Sequence, residues 1–446
     1  MTQLYHNDMY QYDTPVNSYW EFSINEKKHN FSQLKHDITA EVVVIGGGYT
    51  GLSCALHLSK EYQEDVILLE AGHVGWGSSA RNGGFCCIAP TKFSINQMIK
   101  RYGLDETQKF YKNTVEGSNF TKQLIQELNI DCDVMGDCNF EVAHHPSFFD
   151  SIKETANVYN KYFGIETKVY TKEEFKEIGH SGKEQYGAFS YKPGFAINPL
   201  KFQLGLANKA ANIGVQIYAH SAVTKIEKLS GLYKVITLNG SITAKKVVFA
   251  TNGFYRDDLI PELNAKILPV ISNIIVTRPL TTSELNDHDY STHNPILNAR
   301  NLLYYYRLLK DNRILFGERG DLSGSNKSSL KMSQQIEKNM KSIFPKWSNV
   351  NIDFKWRGFV AVTTKFTPSI GKVENDEIYY SFGYQANGVN TAPWAGKELA
   401  NLIAGSNSKD LSISKLYQGL PKAFPFPSLR LLYLKLAYLY YGLIDK

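Results

Sequence analysis

The chain contains no C-x-x-C pair, and its five cysteines, Cys54, Cys86, Cys87, Cys132 and Cys138, are odd in number. Both a disulfide framework and a zinc site are therefore disfavoured, and reduced thiols in a cytoplasmic protein with no metal site are expected. Apolar runs are short as well. No stretch reaches about eighteen uninterrupted apolar residues, so no membrane-spanning helix is expected. Met1 to Val16 is polar and aromatic without an apolar segment, so no secretory signal is read there. Charge of one sign is also scarce: 49 Lys and Arg against 43 Asp and Glu leave a net charge of +6, scattered along the chain. A nucleic-acid-binding stripe is excluded on that pattern. What remains is 446 residues with 43% hydrophobic content, enough for a large core and two domains.

The strongest signal lies between Glu41 and Gly84. An apolar strand, Val42 to Ile45, runs into Gly46-Gly47-Gly48-Tyr49-Thr50-Gly51, and a second strand, Val66 to Leu69, ends on Glu70. Gly46 permits the tight turn, Gly48 clears the approach of a pyrophosphate, and Gly51 lets a helix lie close to the sheet. That helix, starting near Thr50, turns its free N–H groups and positive dipole end toward the phosphates. Leu52, Ala55 and Leu56 follow at helical spacing. Glu70, about twenty residues beyond the glycines, is placed to accept from an adenosine ribose and to repel a 2′-phosphate. The unit binds the ADP half of a dinucleotide, and FAD and NAD both satisfy it.

The next segment separates them. Gly75-Trp76-Gly77-Ser78-Ser79-Ala80-Arg81-Asn82-Gly83-Gly84 has four glycines in ten residues, too many for an ordinary crossover helix. Such a stretch suits backbone wrapped around a bulky planar ligand. Here the sequence resembles the D-amino-acid-oxidase-like superfamily of FAD oxidoreductases, and within it the γ-glutamylputrescine oxidoreductase type, with its G-W-G-A-S-G-R-N-G-G-Q string. Ala80 and Phe85 depart from that string, which often has Gly and Gln there. If that Gln touches substrate in relatives, Phe85 bears on the substrate assignment.

Later segments extend the resemblance over nearly the whole chain. Lys246 to Gly253 resembles the V-V-x-A-T-x-G strand that closes over the dinucleotide, and Tyr304-Tyr305-Tyr306-Arg307 with Asp311 to Gly317 resembles a hairpin beside the flavin. Trp356-Arg357-Gly358 through Gly371 resembles the strand that passes the isoalloxazine. Gly383 to Thr391 leads into a helix expected over 392–404, with Thr391 as N-cap, Pro393 in its first turn and Gly405 as C-cap. Asn387 stands where relatives commonly have His, giving a fixed dipole instead of a titrating group.

The resemblance implies an α/β (α+β) protein of glutathione-reductase-like, D-amino-acid-oxidase fold, with a Rossmann-type FAD-binding domain and a mixed-sheet substrate domain. The expected segments are 1–94, 166–266 and 355–446 for the FAD-binding part, the last with a C-terminal helix, and 95–165 and 267–354 for the helical linker and substrate part. It implies FAD held without a covalent bond, since no cysteine stands near the start of the 356–371 strand and Arg81 occupies the place of a linking histidine. The cofactor-binding residues implied are Gly46, Gly48, Tyr49, Thr50, Gly51, Glu70 and Ala71 at the ADP end; Trp76, Gly77, Ser78, Ser79, Arg81, Asn82, Gly83 and Gly84 in the glycine loop; and Val223, Thr251, Asn252, Gly253, Gly358, Gly388, Val389, Asn390 and Thr391 beyond it.

Tyr304, Tyr306, Arg307 and Lys365 are the substrate-pocket candidates. On a strand, Tyr304 and Tyr306 share the face opposite to Tyr305 and Arg307, so alternate tyrosines can wall a cavity while the others pack, and a cross-strand aromatic cluster that simply packs satisfies the pattern equally. Tyrosine suits an amine, offering an apolar body to the chain and a ring face or hydroxyl to the nitrogen. The activity implied is oxidation of an amine C–N bond by hydride transfer to flavin N5, giving imine and then aldehyde and ammonia, with dioxygen or another acceptor taking the electrons. A D-amino-acid, glycine or sarcosine oxidase is the rival reading; it needs an arginine for the α-carboxylate, and Arg307 and Arg357 are the candidates. A membrane-associated dehydrogenase reducing a quinone is a further alternative, motivated by the apolar tail Leu429 to Ile444, for which a helix packed on the protein is the plainer reading. A flavin-holding subunit without turnover is another.

Overall fold

The computed structural model describes residues 3–24, 30–88, 91–405 and 412–445. The outer limits of the first and last expected segments, residues 1 and 446, and the extreme N-terminus of the signal-free stretch lie outside them. Two eight-stranded sheets organise the chain.

The first is the dinucleotide sheet. The strand Ile38–Ile45 pairs in parallel with Ser241–Phe249 on one side and Val66–Leu69 on the other, and Gln216–Tyr218 adds beyond Val66–Leu69. Ile378–Phe382 joins Ser241–Phe249 in parallel, and Ser369–Lys372 closes that edge antiparallel. A hairpin, Lys225–Lys228 with Tyr233–Ile236, lies along the other part of Ser241–Phe249. Central strands read as continuous apolar runs because helices and loops cover both faces: Val42 and Val44 point into one core, Val43 and Ile45 into the other.

Two helices pack on this sheet and bring their N-termini to one place. Tyr49–Tyr62 follows the glycine turn, and Gly388–Ile403 follows the strand Ile378–Phe382. They approach so closely that a methyl group on Gly396 would sit 2.5 Å from the Thr50 carbonyl oxygen. The Ser53 hydroxyl donates to the Pro393 carbonyl at 2.6 Å across the contact. The second helix begins four residues before the expected 392, with Asn387 as N-cap, so Thr391 lies inside it and Pro393 is an interior proline. Proline removes the bond to the Val389 carbonyl. The Thr121 hydroxyl from Leu104–Glu127 substitutes, reaching the Val389 and Asn390 carbonyls at 3.3 and 3.2 Å. Ala404, not Gly405, caps the other end; Gly405 follows at φ +104°.

The second sheet runs Ile352–Val362, Leu268–Thr277, Ile314–Arg319, Tyr305–Leu308, Ile296–Asn298, Asn139–Val142, Ala188–Lys192, Glu166–Tyr170. It is mixed, because Ile296–Asn298 and Asn139–Val142 pair in parallel while the others are antiparallel. Sheet membership moves two expected boundaries. Glu166–Tyr170 and Ala188–Lys192 fall within 166–266 yet pair in the second sheet, and Ile352–Val362 crosses the 354/355 limit to do the same. A strand's composition reports burial, not which neighbour it pairs with. One face of this sheet packs toward the dinucleotide half, carrying Leu297 and Phe189; the other, with Phe140, Tyr306 and Phe316, packs under the helix Asn326–Ile343. All five cysteines are free and buried. Among the described residues no helix is long and apolar enough to cross a membrane, and no cluster of side chains suits a metal ion.

Candidate functional site

A cleft open to solvent runs over the ends of the parallel strands. Its floor is the glycine turn. Gly46 has φ +108°, and a methyl there would meet the Ala250 carbonyl oxygen at 2.7 Å. A methyl at Gly51 would lie 1.9 Å from the Gly46 carbonyl oxygen, so this glycine seats the helix on the strand and does not itself line the cleft. Gly48 caps the helix with no side-chain hydrogen bond, and the Ser79 hydroxyl approaches it, accepting from the Tyr49 N–H at 3.1 Å.

Glu70 closes the adenosine end. Its carboxylate accepts the Gly47 N–H at 2.8 Å and the Gly72 N–H at 3.1 Å. Burial raises its pKa above the ordinary carboxylate value, and the Gly72, Gly47 and Ala71 N–H groups oppose that rise. Ala71, Val223, Thr251 and Asn252 complete this wall. Arg256 also lines it, donating to the Val223 carbonyl at 3.3 Å and pairing with Asp258.

The glycine loop forms the other wall through Trp76, Gly77, Ser78, Ser79 and Asn82. Arg81 is turned away from the cleft: its guanidinium lies 4.1 Å from the Trp76 ring centroid and donates to the Trp76 and Arg357 carbonyls. Gly83 faces the Tyr305 ring. Gly84, at φ +77°, leaves room for the Ile197 carbonyl, which a methyl would meet at 2.0 Å. Gly253 and Gly358 are close-packing positions against Phe359 and Arg81. From the second helix, Gly388 and Val389 line the cleft, whereas Asn390 donates to the Thr114 carbonyl and Thr391 is buried beside it.

The cleft also contains residues outside the expected cofactor-binding set. Gln203 donates to the Gly47 carbonyl at 2.6 Å, and Tyr384 shares its hydroxyl with Thr50 at 2.6 Å and Ser381 at 2.7 Å. Tyr384 lies within the quoted Gly383 to Thr391 segment, where the signal was present. Gln203 sits one turn into the helix Pro199–Asn212 and carries no sequence signal.

These residues fit an FAD. The buried Ser78 Oγ, Gln203 Oε1, Gln385 Oε1 and Asn387 Nδ2 have no protein partner, and buried polar atoms rarely go unmatched. They lie along the cleft and beside the start of the second helix. Two helix N-termini, at Gly48 and Asn387, add positive dipole ends for phosphates and for negative charge on a reduced ring.

The substrate candidates separate. Tyr306 is 2% exposed, stacked on Phe316 and bonded through its hydroxyl to His180 at 3.0 Å. Tyr304 packs on the same far side, against Phe316 and under the Arg300 guanidinium. The alternation was sound, but the face turned toward the glycine loop is that of Tyr305, whose ring meets Phe85 edge-on at 5.7 Å. Arg307 shares that face, buried, with its guanidinium spent on the Gly83 carbonyl at 3.0 Å and the Ile197 carbonyl at 2.6 Å. Lys365 lies outside the cleft, donating to the Gln418 and Gly419 carbonyls at 3.0 and 3.3 Å; burial pulls its ammonium down to about 7.

Comparison with known proteins agrees with this geometry. The family model described as FAD dependent oxidoreductase (DAO) matches residues 41–402. The γ-glutamylputrescine oxidoreductase of Escherichia coli K12 is 31% identical over 434 residues, 97% of this chain and 98% of its own. A Haemophilus influenzae protein described as "Probable oxidoreductase OrdL" is 32% identical over 448 residues, 98% and 99% of the two chains. Among solved structures, glycine oxidase from Geobacillus kaustophilus superposes with a TM-score of 0.69 at 18% identity, covering 83% of this chain and 96% of that one.

Proposed function

Because the chain belongs to the family of FAD-dependent oxidoreductases acting on amines and amino acids, we propose that its substrate is an extended amine of the γ-glutamylputrescine class, whose C–N bond is oxidised to an imine. Water then hydrolyses the imine to aldehyde and ammonia, and dioxygen is reduced to hydrogen peroxide. FAD, when bound, supplies the two-electron acceptor for this oxidation.

The observation that carries the substrate class is the commitment of the arginines. Reading an α-carboxylate takes a guanidinium with its fork open. Arg307 is occupied by two backbone carbonyls. Arg357 lies on the sheet face away from Tyr305 and donates to the Ser325 carbonyl at 2.9 Å and to Asn326 Oδ1 at 3.0 Å. Neither candidate is left for a carboxylate, which favours an amine without one beside the reacting carbon. Tyr305 offers that amine a ring, with its hydroxyl held by Ser272 at 2.8 Å. In this reading Gly46, Gly48 and Glu70 hold the ADP end, the glycine loop and the Asn387 helix start hold the ring end, and FAD is bound without a covalent link.

Product analysis tests the reading. Incubation with γ-glutamylputrescine, putrescine and small D-amino acids, followed by trapping of aldehyde and ammonia, is expected to give product from the amines; product from the amino acids alone would overturn it.

The helix Arg430–Ile444 favours a second reading of the acceptor. Leu432, Leu436, Leu439 and Leu443 are 47%, 55%, 59% and 68% exposed along one face, although Arg430 and Leu434 pack on the protein. Such a row suits a lipid surface, and with it transfer of electrons to a quinone. Co-sedimentation with anionic vesicles would support it, and full recovery in the supernatant would remove it.

A further inference from the structure

The face of the second sheet that carries Tyr305 also carries a carboxylate that no motif predicted. Registered neighbours in a sheet point to the same side. Tyr305 lies opposite Leu297, Leu297 opposite Glu141, and Glu141 opposite Phe189. Leu297 and Phe189 belong to the apolar core on the dinucleotide side, so Glu141 projects into that side as well. The charge of Glu141 reaches Tyr111 and Tyr159 on the helices Leu104–Glu127 and Phe149–Phe163, Tyr191 on the neighbouring strand, and Lys92 at the rim.

Among the described residues the Glu141 carboxylate makes neither a hydrogen bond nor an ion pair, although its residue is only partly exposed. This is unusual. A carboxylate in apolar and aromatic surroundings is destabilising unless it is paired, and such groups concentrate at functional sites. The segment that passes over it leads directly from the glycine loop: Asn139, two residues before Glu141 on the same face, donates to the Cys86 carbonyl at 3.0 Å, and Tyr159 donates to the Ile88 carbonyl at 3.3 Å. Burial pushes the Glu141 carboxyl up to about 7, while the Lys92 ammonium pulls the other way. A cationic ligand nitrogen would lower it further and hold it ionised.

We propose that Glu141 is the anchor for a second, cationic nitrogen of the substrate, remote from the one that is oxidised. Resting on the amine reading above, this defines the substrate class more closely. Glu141 stands two strands away from Tyr305, roughly 10 Å across the sheet at the usual strand spacing. Compact amino acids do not span that distance. An elongated amine with a positive nitrogen at each end does.

Binding to the holoenzyme with its flavin reduced beforehand, so that no turnover adds heat, tests this by calorimetry. The probes are α,ω-diaminoalkanes of graded length and the monoamines of matching length. Wild-type affinity is expected to peak for the diamine whose nitrogens are roughly 10 Å apart. Glu141→Gln is expected to weaken that diamine at least about tenfold, the loss of a charge-assisted contact, and to leave the matching monoamine unchanged. Equal weakening of both probes, or of neither, would overturn the proposal. If Glu141→Gln fails to fold, the wild-type series decides: a flat dependence on length overturns it and a peak supports it. Failure of the amine reading is distinct, since then no amine is oxidised by the wild-type enzyme at all.

Discussion

The Glu70 carboxylate accepts the Gly47 N–H at 2.8 Å, tying the end of the second parallel strand to the turn that leaves the first. The acid, which lines the cleft, is thereby fixed before any cofactor arrives. Glu70→Ala is expected to weaken FAD binding by about 10- to 100-fold, the range for hydrogen bonds to a charged group. Glu70→Gln should lie between the two. Quenching of flavin fluorescence during titration of the apoprotein measures it.

Two glycines of the same turn are expected to fail differently. A methyl at Gly51 would collide with backbone, the Gly46 carbonyl oxygen at 1.9 Å, so Gly51→Ala should yield insoluble protein. A methyl at Gly48 meets only the Ser79 hydroxyl at 2.9 Å, which can rotate. Gly48→Ala should stay folded but carry less flavin. Soluble yield and the flavin-to-protein absorbance ratio distinguish the two.

Arg307 is expected to act on stability and not on substrate affinity. Arg307→Met strands the Gly83 and Ile197 carbonyls, at about 1–3 kcal/mol each. Its melting temperature should fall clearly, while KM for the amine in the folded fraction changes little. A large rise in KM at unchanged stability would place Arg307 in the substrate site.

His180 gives the fold a pH dependence. Its Nδ1 accepts the Gly182 N–H at 3.0 Å, its Nε2 meets the Tyr306 hydroxyl, and its ring stacks on Tyr290. Burial, with a smaller contribution from His288, lowers it from 6.5 to about 3. The unfolded chain therefore binds the proton first, so stability is retained above pH 6.5 and is lost as pH falls toward 3. By pH 4 the loss is about 3 kcal/mol. Thermal melts of wild type and His180→Gln over this range should show the steeper acid slope in the wild type.

Much of the cofactor half was legible in the sequence because its demands are local. Strand, glycine spacing, helix and acid lie within a short stretch, and each answers a steric or electrostatic need that residue type alone reveals. The second helix start was harder. Pro393 reads as a first-turn residue, and only the distant Thr121 hydroxyl explains how the helix tolerates it inside. The substrate half was least legible, for a geometric reason. Alternation divides Tyr304 and Tyr306 from Tyr305, yet nothing in the hairpin states which face meets the glycine loop. Glu141, a single acid on a short strand, carries no sequence signal, and its side of the sheet is known only from Leu297 and Phe189 on the neighbouring strands.

The central claim is that this chain oxidises an extended amine through a bound FAD. Anaerobic mixing of the purified protein with γ-glutamylputrescine, monitored by the visible absorbance of the flavin, tests it most directly. The account predicts bleaching by γ-glutamylputrescine and none by glycine or small D-amino acids. Bleaching by the amino acids alone, or by none of these compounds, would contradict it.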